Sequence, residues 1–215
     1  MMINRMLYIG LIWLTIPVST LADNVTATVT VTDANQLPVK NAVVIFTPLF
    51  EVNQALPKAK PAIMNQINKQ FVPHVLVVPR NTEITFPNAD NVFHHVYSFS
   101  PAKQFELKLY KEFTAEPLFF EQPGIVDIGC NIHDWMLGYI VVSESPYFLK
   151  TDDTGSASVA LPKGQYRLSF WHPQAANEMP FTQPEMEITD SKSIVLTLQN
   201  TISNDSGFND GFGEY

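Results

Sequence analysis

A single cysteine, Cys130, stands in a chain of 215 residues. No disulfide can close within such a chain. A four-thiolate zinc site, an iron–sulfur cluster and a two-cysteine dinuclear copper centre are excluded with it. Charge is scarce as well: Asp, Glu, Lys and Arg make up 16% of residues, against about a quarter in ordinary domains. Apolar residues reach 46%, enough to bury a core, so a disordered chain is not expected. Basic residues are the rarer sign, 13 against 21 acidic, for a net charge of −8. That balance argues against nucleic acid and anionic membrane surfaces as partners. No long stretch carries helical periodicity, and only five histidines are present.

The one long apolar run, Met6–Val18, follows Arg5 and precedes Thr20-Leu21-Ala22. A basic start, an apolar middle and a small-residue end make a secretory signal over residues 1–22. The run is short for a bilayer, and no basic stop-transfer cluster follows it. Export to the periplasm, with no membrane span after cleavage, is the expectation. An oxidising compartment favours disulfides, yet Cys130 has no partner. It must therefore be a buried inert thiol, an intermolecular bridge or a metal ligand.

Beyond the leader, short alternating β runs recur. They include Val25–Val31, Ala42–Phe46, Val75–Val78, Glu83–Phe86, Val92–Phe99, Phe105–Leu109, Leu118–Phe120, Ile125–Cys130 and Tyr139–Val142. Turns such as Pro87-Asn88-Ala89-Asp90 and Gln122-Pro123-Gly124 separate them. This pattern predicts an all-β sandwich or Greek-key barrel. A second β region follows in Tyr147–Leu149, Ala157–Leu161, Tyr166–Trp171 and Ile194–Leu198. Asp152-Asp153-Thr154-Gly155 reads as a turn whose Asp caps its own backbone rather than as a calcium site. Residues 201–215, rich in Asn, Asp, Gly and Ser, read as a disordered tail.

The informative segment is Gly129-Cys130-Asn131-Ile132-His133-Asp134-Trp135-Met136-Leu137-Gly138. It offers a thiol, an imidazole and a thioether at 130, 133 and 136, between two strands. A second imidazole would come from His94 or His95. Two His, one Cys and a weak Met form the blue-copper donor set. Taken singly, each residue has an ordinary explanation: a small buried thiol, a hydrogen-bonded His, a packing Met. Their coincidence at one strand junction in an exported protein favours metal. Adjacent strand residues point to opposite faces, so only one of His94 and His95 can reach the site. Alternation does not choose, because Val96 follows one parity and Tyr97 and Phe99 the other.

These residues resemble the cupredoxins, above all plastocyanin and amicyanin. The Cys130-x-x-His133-x-x-Met136 spacing is similar to a short amicyanin-like ligand loop. Phe71-Val72-Pro73, Val75–Val78, Thr82–Phe86, Pro87-Asn88 and His94 resemble the approach to the first His ligand of plastocyanin. More narrowly, Phe86-Pro87-Asn88, His94–Ser100 and Gly129–Met136 resemble the exported plastocyanin-like methylamine utilisation proteins. The resemblance implies a cupredoxin domain over 63–145 with one type 1 copper centre held by His94, Cys130, His133 and Met136. His95 is then the alternative ligand, and His95, Asn88 and Asn131 brace the ligand loop. Arg80-Asn81 stands where the family has a Gly turn, which Asn tolerates. Asp134 replaces the Pro after the loop His, which should lower the reduction potential. His74 is expected at the surface and His172 in a structural role.

Outside the cupredoxin stretch, Val29–Asp33 with Leu37–Val44, and Thr151–Gly155 with Leu161–Leu168, resemble the two ends of a carboxypeptidase-regulatory-like, transthyretin-like domain. The resemblance implies a cupredoxin sandwich inserted into a split Ig-like sandwich formed by 23–60 and 146–200.

The expected function is periplasmic electron transfer, not enzymatic catalysis. Multicopper oxidases need His beside the Cys, but Gly129 and Asn131 flank Cys130. Nitrite reductase-like enzymes need further His for a second copper. A hydrolytic zinc would need an open position and a base. A copper store or trafficking protein is the alternative, although such proteins favour exposed, flexible sites. A purely structural β module would bind no copper. The exposed edge of His133, with Trp135 and Leu137 beside it, is the expected electron port. It would serve a redox partner such as a cytochrome c or a periplasmic dehydrogenase, and the protein itself is expected to be a monomer.

Overall fold

The structure is a computed structural model that describes residues 24–52, 59–111, 116–178, 181–182 and 185–202. The leader expected over 1–22 and nearly all of the tail expected over 201–215 lie outside the described residues. The described chain is all-β, apart from a 3-10 turn at Pro173–Glu178. Its first half runs β1 (Asn24–Thr32), β2 (Val43–Pro48), β3 (Ala62–Ile63), β4 (Asn65–Ile67), β5 (Gln70–Val72), β6 (Val75–Pro79), β7 (Thr82–Thr85), β8 (His94–Ser98) and β9 (Phe105–Tyr110). The second half runs β10 (Leu118–Phe120), β11 (Gly124–Cys130), β12 (Leu137–Ser143), β13 (Phe148–Lys150), β14 (Ser156–Pro162), β15 (Gly164–Trp171), β16 (Phe181–Thr182), β17 (Met186–Ile188) and β18 (Lys192–Thr197).

The strands between β3 and β12 surround one core. One sheet has the order β6-β12-β11-β8-β9, and a smaller one the order β10-β7-β3. Met64, Phe71, Ile84, Phe86, Phe120, Ile128 and Ile140 are buried between them. β6 and β12 run parallel, so the chain crosses over rather than turning back as a hairpin. Asn81 occupies the turn between β6 and β7 at φ 65°, the left-handed conformation that Asn accepts and most residues resist.

Every ladder partner of β1 and β2 lies beyond residue 147. β1 pairs with β14 and β18, and β2 with β13 and β15. Alternation explains β1 directly. Val25, Ala27, Val29 and Val31 face inward, while the Thr residues between them face out. Across the strands the hydroxyls meet, Thr28 with Ser158 at 2.8 Å and Thr32 with Thr197 at 3.2 Å. Inside this second core, Tyr166 is fully buried and packs edge-on to Phe46 and Phe50. Its hydroxyl donates to the Pro162 carbonyl at 2.6 Å, which removes the cost of burying an unpaired polar group. Val43 and Trp171 from this part touch Val75 and Val141 of the other.

Several local expectations meet the structure here. The Asp152 carboxylate accepts from the Thr154 N–H and hydroxyl, so the turn caps itself. His172 is buried and bonded to the Lys40 carbonyl at 3.0 Å, a structural role. His74 differs from expectation. It is half-buried, with its ring edge-on to Tyr139, because β12 covers the start of β6. The β4–β5 hairpin had no strand signature. Its strands are three residues long, and its turn is Asn68-Lys69 rather than an Asn-Gly pair.

Candidate metal centre

The site lies where β11 ends beside β8. Along β11, Val126, Ile128 and Cys130 are buried while Asp127 between them is exposed. Along β8, His94, Val96 and Ser98 take the buried parity. Cys130 pairs with Val96 across the ladder. The donors thus occupy ordinary core positions at the ends of two neighbouring strands.

Glycine permits this approach. A Cβ at Gly129 would meet the Tyr97 ring at 3.0 Å, and one at Gly138 would meet Phe71 at 2.8 Å. The loop between them closes on itself. Met136 N–H donates to the His133 carbonyl at 2.9 Å, and Cys130 N–H to the Met136 carbonyl at 3.2 Å. His133 is thereby folded back over Cys130.

Three donors come together. His94, Cys130 and His133 place one ligand atom each within 4.8 Å of one another. Cys130 Sγ lies 3.7 Å from His94 Nδ1 and 3.5 Å from His133 Nδ1. The two imidazole rings are 4.9 Å apart. Met136 is buried in the same core cluster as Cys130. Two imidazoles and a thiol, gathered at the edge of a β core, fit a copper ion.

His95 is not brought to this cluster. Its ring lies on the other side of β8, where Nε2 meets Glu106 Oε1 at 2.9 Å, and this corrects its place as alternative ligand. Its backbone carbonyl instead accepts from the Asn131 N–H at 3.0 Å. The Asn131 residue is exposed. The Asn88 side chain is hydrogen-bonded on both its amide and its oxygen. Its amide donates to the Val92 and Tyr110 carbonyls, and its oxygen accepts from the Asp90 N–H.

One neighbour was not foreseen. Asp90 Oδ2 sits 2.8 Å from His94 Nε2, with the His94 side chain fully buried. Asp90 had a sufficient explanation as a turn residue after Pro87-Asn88, so nothing in the sequence separated it from other turn carboxylates. Partial burial works against its ionisation, but the Lys69 N–H, the His94 contact and the Asn68 N–H together hold its pKa below the usual value. His133 is pushed down by burial first, then by the nearby His94 and Lys69 charges, with Asp90 opposing. The site's outer rim is apolar. The Trp135 ring lies 5.6 Å from the His133 ring and is tilted 58° to it, and Phe93, Ile132, Trp135 and Leu137 are all exposed.

Comparison with known proteins adds little at sequence level: no family model and no curated protein matches the chain. Solved structures do align. A Cu-containing nitrite reductase (NirK) from Thermus scotoductus SA-01 is 23% identical, with a TM-score of 0.38 over 46% of this chain and 25% of that one. A reduced amicyanin variant is 22% identical, with a TM-score of 0.35 over 48% of this chain and 99% of that one. A Cu(I) amicyanin variant gives 22% identity and the same TM-score over 39% and 82%. The chain thus spans a quarter of the nitrite reductase chain. No described helix is long and apolar enough to cross a membrane.

Proposed function

We propose that the protein is an exported type 1 copper electron carrier of cupredoxin type, working in the periplasm with a partner protein and no bound substrate. The observation that carries this reading is the buried meeting of His94, Cys130 and His133 at the end of a β core. Copper bound there would supply one-electron exchange between Cu(I) and Cu(II). The protein's own part is to hold the donors. His94 is set by its strand, Cys130 by the end of β11, and His133 and Met136 by the closed loop. A packed core resists rearrangement of those side chains, which suits fast exchange without bond breaking.

We read His133 as the route in and out. Its ring is half-buried with the Trp135 ring 5.6 Å away, and the exposed Leu137 and Ile132 lie in the same loop region. A small apolar rim desolvates quickly and holds weakly, as short-lived redox encounters require. The acidic chain would favour a basic partner such as a cytochrome c, with a periplasmic dehydrogenase as another candidate. We also take the strands from 62 to 143 as a cupredoxin unit set into a β unit built from both ends of the chain, because β1 and β2 pair only with later strands.

The test is a visible spectrum and redox titration of the copper-loaded mature protein. An intense thiolate-to-Cu(II) band that bleaches reversibly on reduction is expected, and Cys130→Ser should abolish it. Copper uptake without such a band, or a band without reversible bleaching, would sink the carrier reading in favour of storage or trafficking.

A further inference from the structure

We propose that Asp90 is the positioning residue of this site, fixing the tautomer of His94 and tethering that ligand to the β4–β5 turn. The inference rests on the copper reading above and deepens it. His94 presents two ring nitrogens to two different partners. Nδ1 faces Cys130 Sγ at 3.7 Å, and Nε2 faces Asp90 Oδ2 at 2.8 Å. A neutral imidazole carries one proton, and a ligand nitrogen must be free of it. An acceptor-only carboxylate at Nε2 holds the proton there and leaves the Nδ1 lone pair beside Cys130.

Asp90 is itself held from three sides. Its Oδ1 accepts from the Asn68 N–H at 2.6 Å, and its Oδ2 from the Lys69 N–H at 2.8 Å. Those two residues have φ 54° and 57°, a turn whose backbone donors converge on the one carboxylate. On its own backbone, the Asp90 N–H donates to Asn88 Oδ1 at 2.9 Å. The carboxylate is only 11% exposed, so its contacts are poorly screened by water. Since the two turn donors are N–H groups, the carboxylate is left as an acceptor for the imidazole.

The two His ligands therefore differ in kind. His94 is tied at both nitrogens inside the protein, whereas His133 sits in the loop against Cys130 and the Trp135 ring. A carboxylate on Nε2–H also makes Nδ1 a stronger donor, which favours Cu(II) over Cu(I).

A carboxylate that only fixes the hairpin turn would make no such difference, and three measurements separate the two roles. In metal-free wild type, long-range proton–nitrogen NMR should find His94 as the Nε2–H tautomer with a slowly exchanging proton. In copper-loaded Asp90→Asn, the ratio of Cu(II) to Cu(I) affinity should fall roughly tenfold, a rise of about 59 mV in potential. In the same variant without metal, the His94 proton should exchange faster. An Nδ1–H tautomer in wild type, or an Asp90→Asn protein that melts lower at unchanged potential and exchange, overturns the proposal. If the variant does not fold, the wild-type tautomer decides alone. A wild type that takes up copper without a thiolate band sinks the copper reading instead, and the metal-free NMR still tests Asp90.

Discussion

The core around Phe46 and Tyr166 and the core around Phe86 and Ile128 are built by the same rule and end differently. In the first, inward positions along β1 and β15 carry Val, Ala, Leu and aromatic side chains, and the buried Tyr166 hydroxyl finds a carbonyl. In the second, the inward rows of β8 and β11 end in His94 and Cys130 where Val or Ile would serve packing. The difference teaches how little backbone change is needed to gather donor side chains. Two strand-end core positions take donor side chains, and one closed loop brings the third donor over them. The carboxylate that orients His94 comes from a turn outside both strands.

The largest test of this contrast is paired truncation. Phe46→Ala and Phe86→Ala each remove a fully buried ring and should each cost about 3–5 kcal/mol. Denaturant melts measure both. Only Phe86→Ala should also shift the visible band of the copper-loaded protein, because its ring belongs to the same core cluster as Cys130 and Met136. An equal shift from Phe46→Ala would mean that the two cores are not separable.

Acid should act next in size, through His172 in the other part. Burial pushes its pKa from 6.5 down to about 4, the Lys40 carbonyl opposes this, and the His74 charge adds to it. The unfolded chain takes up a proton first as pH falls, so this stabilisation is whole above pH 6.5 and is lost between there and about 4. The span corresponds to roughly 3 kcal/mol. Urea melts at pH 7 and pH 4.5 should differ by much of that amount, and His172→Asn should flatten the difference. A variant with the wild-type pH slope would remove His172 as the cause.

Smaller effects sharpen the metal side. Met136→Leu should keep the coloured site and raise its potential, because a weak donor to the oxidised ion is lost; an unchanged potential in a redox titration would mean that Met136 only packs. His94→Ala should damage the band far more than His95→Ala, given the pairing of His95 with Glu106. Smallest is the rim. Leu137→Lys should slow electron transfer with a basic cytochrome several-fold, and wild-type rates should fall as salt rises. Stopped-flow rates indifferent to both would remove the port at His133.

Sequence alone determined the all-β class, because period-2 alternation is a local property of each strand and Pro, Gly and Asn turns punctuate it. The closeness of Cys130 and His133 was equally legible, since two residues within one short loop must be near each other in space. The left-handed turn at Asn81 could also be read from a single residue.

Residue alternation did not choose between His94 and His95; the family resemblance pointed to His94, and the tertiary structure brings that ring to Cys130 and His133. The Tyr97 and Phe99 rings, 5.2 Å apart and tilted 45°, lie at and just beyond the end of β8, and Phe99 is 80% exposed, so these large apolar residues do not mark the inward face. The short β4–β5 hairpin was hidden for a related reason, as three-residue strands carry too few alternations to register a period. Asp90 shows the limit most plainly. Its contact with His94 spans only four residues, but its two bonds from the turn at 68–69 join it to a distant hairpin, and such a meeting is set by packing across the core. Local periodicity records which face a residue prefers, but which distant groups share that face is decided only when the chain closes on itself.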